Sequence, residues 1–445
     1  MPQPPGPSSP ALIQTLMMIR DPLRYFERCM RRYGRVFTVK FLAMGDLVYV
    51  VDPALVKQIF TGDSAVFRAG EANEVLEPVL GRGSALLLDG EQHMRERRLL
   101  LPPFHGESVR RYGELMEEVA RAEVAGWTRG SPVAVRPRMQ AVTLEVILRA
   151  VFGIRETDRL ARLGTLIPRL LEAGNVVIWL PWLRRDLGPW SPWRRFARVR
   201  DEVDEILLDE IRRRRALPDL EQRDDVLSLL LSARYDDGSE MAPAQVRDEL
   251  VTLLVAGHET TATGLAWALE RLAHNPAVQE RLADEVAAGD DSYIEAVIKE
   301  TLRVRPVVVD VARMLAEPIE LGGYEVPAGR YVVAAIAAVH LLSGAYDDAE
   351  EFRPERFLDG QPEPYSWIPF GGGVRRCIGA AFASFEMKVV LRTVVEQLRL
   401  RPAEAQPERP KLHHVTLVPS KGARLVVEDR ASAPSARVRT PAYAS

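Results

Sequence analysis

Three consecutive glycines, Gly371 to Gly373, precede Cys377 by four residues, and a helical pattern follows through Leu391. Glycine has no Cβ, so this backbone can bend sharply and approach a flat ligand closely. A cysteine at the start of a helix faces free N–H groups and the positive end of the helix dipole, which stabilise a thiolate. Gly379, at the start of the helix, also leaves room for that ligand. Arg375 is placed to bind an anionic group of the same ligand. The segment therefore predicts a flat ligand held against the Cys377 sulfur.

A second unusual segment lies inside a long helical pattern from Ala244 to His274. The apolar run is interrupted by Gly257, Glu259 and Thr260, although glycine and threonine are poor choices for the middle of a helix. The Thr260 hydroxyl can bond back to the Ala256 carbonyl and distort the helix there. A hydroxyl backed by a carboxylate suits proton delivery to a reacting oxygen.

An isolated cysteine is most often only a small buried hydrophobe, so the spacing around it decides the interpretation. The segment resembles the cysteine loop of the cytochrome P-450 family, Phe-x-x-Gly-x-Arg-x-Cys-x-Gly, at Phe370, Gly373, Arg375, Cys377 and Gly379. This resemblance implies haem b as cofactor and Cys377 as the sulfur ligand to its iron. It also implies that Arg375 pairs with a haem propionate and that Phe370 and Gly371 lie in the cofactor site.

The long helix resembles the oxygen-binding motif of the same family at Ala256-Gly257-x-Glu259-Thr260-Thr261. The resemblance assigns O₂ binding to this stretch and proton delivery to Glu259 and Thr260. His258 occupies the variable position, and we interpret it as an ordinary helix histidine.

Three charged residues match scaffold positions of the family. Glu300-Thr-Leu-Arg303 lies on a predicted helix from Tyr293 to Val304. By itself an i,i+3 pair contributes only about 0.2–0.5 kcal/mol. Arg356, in the segment Phe352 to Phe357, is expected to complete a charged triad that supports folding and haem retention.

Further cationic residues are candidates for the haem propionates. His93 and Arg97 are one helical turn apart on a common face and resemble the His-x-x-x-Arg site of bacterial members of the family. Arg313 is a third candidate. In contrast, Leu341 to Gly344 departs from the Arg-Asp-Pro that many members have after the residue matching His340.

The patterns predict a mainly α protein with small β-sheets, with the haem between the long central helix and the cysteine loop. Helical periodicity covers residues 114–127, 142–152, 201–215 and 244–274, and β-type alternation covers 36–41, 47–51 and parts of 318–336 and 411–427. We expect one catalytic domain over residues 1–429, with a proline-rich lead-in at 1–20. The Ala-, Ser- and Pro-rich residues 430–445 are expected to form a disordered tail.

Composition limits the partners and the cellular compartment that we expect. The formal net charge of −3 gives no reason to expect a nucleic-acid partner. With only Cys29 and Cys377, the chain is expected in the reducing cytoplasm. The apolar run from Ala11 to Ile19 is too short and interrupted to span a bilayer, and it lacks the basic start of a signal peptide. We expect a monomer without a transmembrane anchor.

The expected reaction is hydroxylation or epoxidation that consumes O₂ and two electrons. An apolar wall near the expected haem is offered by Val307, Val308 and Val309. A second candidate segment, residues 163–195, is either a mobile lid or a core patch and contains Trp179, Trp182, Trp190 and Trp193. A lipophilic substrate follows, such as a fatty acid, an alkane or a terpenoid-like molecule.

No flavin or nicotinamide motif follows the haem segment, so electrons from NAD(P)H are expected through a ferredoxin or flavodoxin with its reductase. Arg95, Arg98, Arg376 and Arg392 are expected to form its docking surface. Alternative interpretations are a peroxide-driven peroxygenase, a haem-thiolate isomerase, or a haem sensor without turnover. A structural metal site using Cys377 is disfavoured, since no second cysteine or histidine cluster accompanies it.

Overall fold

The structure is a computed structural model that describes residues 1–42, 44–153, 157–188, 190–358, 360 and 362–430. The predicted disordered tail lies outside this part of the chain except for Arg430. Its backbone N–H donates to the Gln397 carbonyl at 3.0 Å, and its side chain bonds Glu280 at 2.8 Å.

Helices dominate the described residues, as predicted. They are α1 (Ala11–Arg20), α2 (Pro22–Tyr33), α3 (Pro53–Thr61), α4 (Ala69–Ala72), α5 (Glu77–Leu80), α6 (Gly90–Leu100), α7 (Glu107–Arg111), α8 (Gly113–Ala125), α9 (Val135–Phe152), α10 (Thr157–Trp179), α11 (Pro192–Arg215), α12 (Val226–Ser232), α13 (Pro243–His274), α14 (Pro276–Ala288), α15 (Ser292–Val304), α16 (Ile336–Leu342) and α17 (Ala380–Gln397). Within the described ranges, no helix combines the length and apolar character needed to cross a membrane.

The strands are short. They are β1 (Val36–Phe41), β2 (Gly45–Val50), β3 (Phe67–Arg68), β4 (Pro132–Ala134), β5 (Val311–Leu315), β6 (Ile319–Leu321), β7 (Tyr324–Val326), β8 (Tyr331–Ala334), β9 (Leu398–Pro402), β10 (Pro410–His413), β11 (Thr416–Pro419) and β12 (Arg424–Asp429). The largest sheet has the order β1-β2-β8-β5-β3, in which β2 and β8 run parallel and the other neighbours antiparallel. The remaining strands form a β4-β12-β9 sheet and the pairs β6-β7 and β10-β11.

The buried apolar residues form two clusters. The larger cluster joins the helices around α13, including α8, α9, α15 and α17. The smaller cluster covers the five-stranded sheet and the helices next to it, and it includes a ring stack of Phe37 on Tyr49 with centroids 5.9 Å apart. The sheet and the helical layer are therefore each closed by their own apolar core.

Helix α13 is the central element of the helical layer. Its 32 residues span about 48 Å at the usual α-helical rise. Most of its side chains are buried by helices on several sides. Next to α17 the two helices approach closely, because a Cβ on Gly264 would lie 3.2 Å from the Met387 sulfur. This packing places α13 beside the helix that follows Cys377.

Candidate active site

The loop before Cys377 is folded tightly on α3. Gly371 and Gly373 both have positive φ angles, +67° and +62°, which glycine adopts at little cost. A Cβ on Gly373 would lie 1.8 Å from the Phe60 carbonyl oxygen, so no larger residue fits there. The backbone N–H of Cys377 donates to the Phe370 carbonyl at 2.9 Å. These constraints fix the direction of the cysteine three residues before α17 begins.

The Cys377 side chain is accessible to solvent, yet enough protein surrounds it for burial to raise the pKa of its thiol. The backbone N–H of Gly379 and the charges of Arg97 and Arg376 act in the opposite direction and favour the thiolate. An accessible sulfur with donors and cations around it suits a metal ligand.

Neither backbone conformation nor contact within the described protein requires glycine at position 379. Gly379 lacks a positive φ, and a Cβ added to it would meet nothing within 4 Å. An added methyl group would instead fill the space beside Cys377. This is the fit expected if a flat group such as haem lies against the sulfur.

Three arginines converge next to the cysteine loop with one carboxylate among them. Arg375 bonds Asp89 at 2.6 Å and donates to the Ala85 carbonyl at 3.1 Å. Burial lowers the pKa of Arg97, Arg313 and Arg375, and for Arg313, whose pKa falls to about 10, the charge of Arg375 adds to the effect. Arg97 in turn lowers the pKa of Arg375. Three positive charges against one negative charge leave two that an anionic ligand could balance.

His93 lies in the same cluster. Its ring nitrogens are 3.0 Å from the Ala85 carbonyl oxygen and 3.3 Å from that of Val374. Burial and the charge of Arg375 lower its pKa, which favours the neutral ring. The structure therefore brings His93 and Arg97 of α6 together with Arg313 and Arg375, which lie far from them in sequence.

Helix α13 presents an open face in its middle. Ala256 is exposed, and Gly257 and Thr260 are partly accessible, whereas the neighbouring His258, Glu259 and Thr261 are buried. The Thr260 hydroxyl donates to the Ala256 carbonyl at 2.6 Å, as predicted. The helix nevertheless continues without a break, so the distortion expected there is not seen.

Glu259 points away from that open face. One carboxylate oxygen accepts from Arg136 and the other from Gln140 at 2.6 Å, and both donors belong to α9. Burial would raise the pKa of Glu259, but the charge of Arg136 and the two hydrogen bonds lower it overall. The structure thus separates Glu259 from the Thr260 hydroxyl. Sequence reasoning missed Arg136 and Gln140, because their relation to Glu259 depends on the packing of α9 against α13.

The predicted charged triad is fully assembled. Arg303 and Glu300 form a bidentate pair at 2.6 and 2.8 Å with no exposed surface, and Arg356 reaches Glu300 at 3.3 Å. Arg303 also donates to the carbonyl of His340 at 3.3 Å. The ring nitrogen Nε2 of His340 accepts from the Ile368 N–H at 2.8 Å. A residue that sequence reasoning did not single out thus links the triad to the start of the cysteine loop.

The three valines that were expected to form an apolar wall do not share one environment. Val307 and Val309 are buried in separate core clusters, and Val308 is only partly buried.

The four tryptophans of the predicted lid segment differ in exposure. Trp182 and Trp190 are 60% and 92% exposed, whereas Trp193 packs against Phe196 with ring centroids 5.7 Å apart. The side chain of Trp179 lies outside the described part of the structure. Helices α10 and α11 account for most of the predicted lid, and the connection between them includes a short 3₁₀ helix at Pro181–Leu183.

The expected basic surface is partly neutralised. Arg95 pairs with Asp237 at 2.9 Å, Arg98 with Asp236 at 2.8 Å, and Arg392 with Asp291. In the described ranges Arg376 is exposed and forms no ion pair. The surface therefore carries less free positive charge than the sequence suggested.

A helical protein with an accessible cysteine beside a cationic cluster has the features of a haem-thiolate protein. The family model "Cytochrome P450" matches residues 4–427. Similar proteins include "Putative cytochrome P450 135B1" of Mycobacterium tuberculosis, 47% identical over 95% of this chain and 91% of its own length. Another is "Putative cytochrome P450 138" of the same species, 41% identical over 96% of each chain.

Solved structures agree on the fold. A cyanobacterial CYP120A1 with bound retinoic acid has a TM-score of 0.85 at 23% identity and covers 97% of this chain and 100% of its own. The cytochrome P450DA haem domain has a TM-score of 0.83 at 25% identity, covering 96% and 98%. The chain belongs to the cytochrome P450 family, which implies a haem-containing oxidoreductase of the monooxygenase type.

Proposed function

We propose that this protein is a haem b monooxygenase that hydroxylates or epoxidises a lipophilic small molecule with O₂ and two electrons from NAD(P)H. The observation that carries the proposal is the accessible Cys377 sulfur beside a cluster with two uncompensated positive charges. Bound there, haem would supply the redox chemistry that activates O₂. Cys377 would ligate the iron, while Arg97, Arg313, Arg375 and His93 would hold the propionates.

The remaining residues of the site would control protons and water. The Thr260 hydroxyl lies on the open face of α13 and is held by the Ala256 carbonyl, so it is positioned to donate or relay a proton there. Glu259 is kept ionised by Arg136 and Gln140. To deliver a proton it must release one of these partners, take up a proton from solvent water, and turn toward Thr260. Glu259 and Thr260 are thus proposed as the proton-delivering residues of a step that requires side-chain movement.

Accessible apolar side chains support a lipophilic substrate. Val308 is partly accessible between two buried valines, and Leu253 and Val255 flank the open face of α13. Fatty acids, alkanes and terpenoid-like molecules remain the proposed classes. A ferredoxin or flavodoxin is proposed as the electron donor, with Arg376, which forms no ion pair within the described residues, as its main basic contact near Cys377.

The absorption spectrum of the reduced, CO-treated protein tests the proposal. A thiolate-ligated haem gives a strongly red-shifted Soret band, and Cys377→Ser is expected to abolish it while the circular dichroism remains helical. A histidine-type band in the wild-type protein, or no haem binding by folded protein, would contradict the proposal.

The orientation of Glu259 makes a peroxide-driven reaction the second candidate. Peroxide brings its own protons and electrons, so it depends less on a carboxylate next to Thr260. Product formation with hydrogen peroxide that exceeds the rate with a ferredoxin system, and that survives Glu259→Gln, would favour this candidate over the O₂-dependent reaction.

A further inference from the structure

A cavity of about 390 Å³ lies away from the cysteine loop, between α5, α11, α13 and the connection that follows α10. Four arginines line it: Arg82, Arg184, Arg200 and Arg247. Among the described residues that line it, Glu77 is the only acidic one. A surface of this composition favours anionic ligands.

Two of these arginines are already neutralised. Arg82 pairs with Glu77 at 2.6 Å, and Arg247 pairs with Asp204 and, at 2.6 Å, with Asp248. Their charges are balanced by carboxylates and contribute little to the attraction of a ligand.

The charges of the other two arginines are less fully balanced. Arg184 donates to the carbonyls of Val177 at 3.0 Å and Val75 at 3.1 Å, and it forms no ion pair within the described residues. Arg200 forms a long ion pair with the exposed Asp201, at 3.4 Å. Burial raises the pKa of Asp204, which Arg247 already pairs, and the charge of Arg200 acts in the opposite direction. The Nε of Arg200 is buried with no hydrogen-bond partner among the described residues. A buried, unpartnered guanidinium N–H is costly, and an oxyanion would satisfy it.

The cavity also has an apolar wall. Pro78 and the half-buried Trp193 line it, and Trp193 is held in place by Phe196. A ligand with both an anionic group and an apolar body would use both surfaces.

The cavity is distinct from the site around Cys377. Arg247 precedes Thr260 by 13 residues on α13, which corresponds to about 20 Å along the helix and about 140° around it. Arg247 and Thr260 therefore face nearly opposite sides of α13, and a ligand beside Arg247 is remote from the open catalytic face.

We propose that this cavity is a second binding site for an organic carboxylate with an apolar body. The carboxylate bonds Arg184 and Arg200, and the apolar part packs on Trp193. Such a ligand joins α5, α11 and α13 to the connection after α10. Its binding is therefore expected to stabilise the segment that contains the exposed tryptophans.

Calorimetric titration of the haem-loaded protein with octanoate tests the proposal. Saturating imidazole is present on the iron, so that a change in the Soret band reports any octanoate that enters the catalytic site. We expect one saturable site without a Soret change and a higher unfolding temperature. Arg200→Gln is expected to weaken binding about tenfold, the effect of one charge-assisted hydrogen bond.

Arg198→Gln is the matched control, because Arg198 lies on the same helix, is exposed and does not line the cavity. It is expected to leave the affinity within about twofold. Arg184→Gln provides a second variant, with circular dichroism to verify folding. Unchanged octanoate affinity in folded Arg200→Gln would overturn the site, and equal affinity for acetate and octanoate would overturn the role of Trp193.

Discussion

At the scale of single residues, the Glu259 carboxylate connects two helices, α13 and α9. Both of its oxygens are engaged by α9, through Arg136 and Gln140. A charge in a buried ion pair costs little while its partner is present, but it becomes expensive when the partner is removed. This residue is thus both a proposed proton source and part of the contact between α9 and α13.

Arg136→Gln is expected to lower the free energy of unfolding by about 3 kcal/mol at pH 7, because it leaves Glu259 buried and unpaired. The wild-type pKa of Glu259 is lowered, so the ion pair stabilises the fold above the unfolded pKa of about 4.3 and its contribution is lost as pH falls below that value. In the variant, burial raises the pKa. The stability difference between the two proteins should therefore shrink between pH 7 and pH 4 in urea unfolding.

Arg138→Gln serves as the control for this experiment. Arg138 is on the same helix, is half exposed and lies 3.4 Å from Glu123. Its loss is expected to cost less than about 1 kcal/mol at both pH values. Equal losses in the two variants would show that Arg136 contributes only an ordinary surface pair.

His340 yields a prediction of the same sign in a different pH range. Burial, with the charge of Arg303, lowers its pKa to about 3, so the ring stays neutral and accepts the Ile368 N–H. The unfolded protein takes up this proton near pH 6.5, so stability should fall by about 1.4 kcal/mol per pH unit between about pH 6 and pH 4. His340→Asn is expected to remove this part of the pH dependence, whereas the exposed His105 should not affect it when changed to Asn.

His340→Leu tests the positional role of the same side chain. It leaves the Ile368 N–H buried without an acceptor, at a cost of about 1–3 kcal/mol. Because Ile368 opens the cysteine loop, we expect a smaller fraction of the CO-bound protein with the red-shifted Soret band at equal total haem. A full red-shifted band in folded His340→Leu would refute this role.

At the scale of elements, the two positive-φ glycines of the cysteine loop differ in their surroundings. A Cβ on Gly371 meets nothing within 4 Å, whereas on Gly373 it collides with the Phe60 carbonyl. Gly371→Ala should therefore cost only backbone strain, about 1–2 kcal/mol. Gly373→Ala must displace the loop from α3 and should abolish the red-shifted CO band. Chemical denaturation and the CO spectrum of both variants distinguish strain from collision.

The central helix and β1 were predictable because their patterns are local. The prediction of residues 244–274 differs from α13 by one residue, and that of 36–41 coincides with β1. Helix α11, in contrast, begins at Pro192 and not near Asp201. Its first turns are arginine-rich, and Ser191 caps them by accepting from the Arg194 N–H at 3.2 Å. Trp193, Phe196 and Val199 do continue the helical apolar spacing upstream of Asp201, but arginines stand between them and Pro192 precedes them, so the prediction began this helix too late.

At the scale of the whole molecule, contacts distant in sequence could not be read from local patterns. The parallel pairing of β2 with β8 joins residues about 280 positions apart, and no short pattern encodes it. The family resemblance supplied His93, Arg97 and Arg313 as propionate candidates. Only the fold shows that burial and their mutual repulsion, directly or through Arg375, lower the pKa of these cations, so that an anion bound among them is favoured.

Because these cations favour a bound anion, the effect of removing one of them should differ between the protein with haem and the protein without it. The pKa of Arg313 is lowered to about 10, so keeping it charged opposes folding of the haem-free protein. Arg313→Gln is therefore expected to change the free energy of unfolding of the haem-free protein by less than about 1 kcal/mol, since relief from burial offsets lost packing. With haem, the lost propionate contact should weaken haem binding about tenfold and remove about 1.4 kcal/mol of the stabilisation by haem.

Arg305→Gln is the matched control. Burial and Arg271 lower the pKa of Arg305 to about 10 as well, but its ring contact is with Trp267, away from the cysteine loop. Its replacement should affect both forms of the protein equally. Unfolding of the two variants by urea, each with and without haem, measures the difference directly. An equal effect of Arg313→Gln on both forms would mean that Arg313 is a structural cation and that the propionates depend on Arg97, Arg375 and His93 alone.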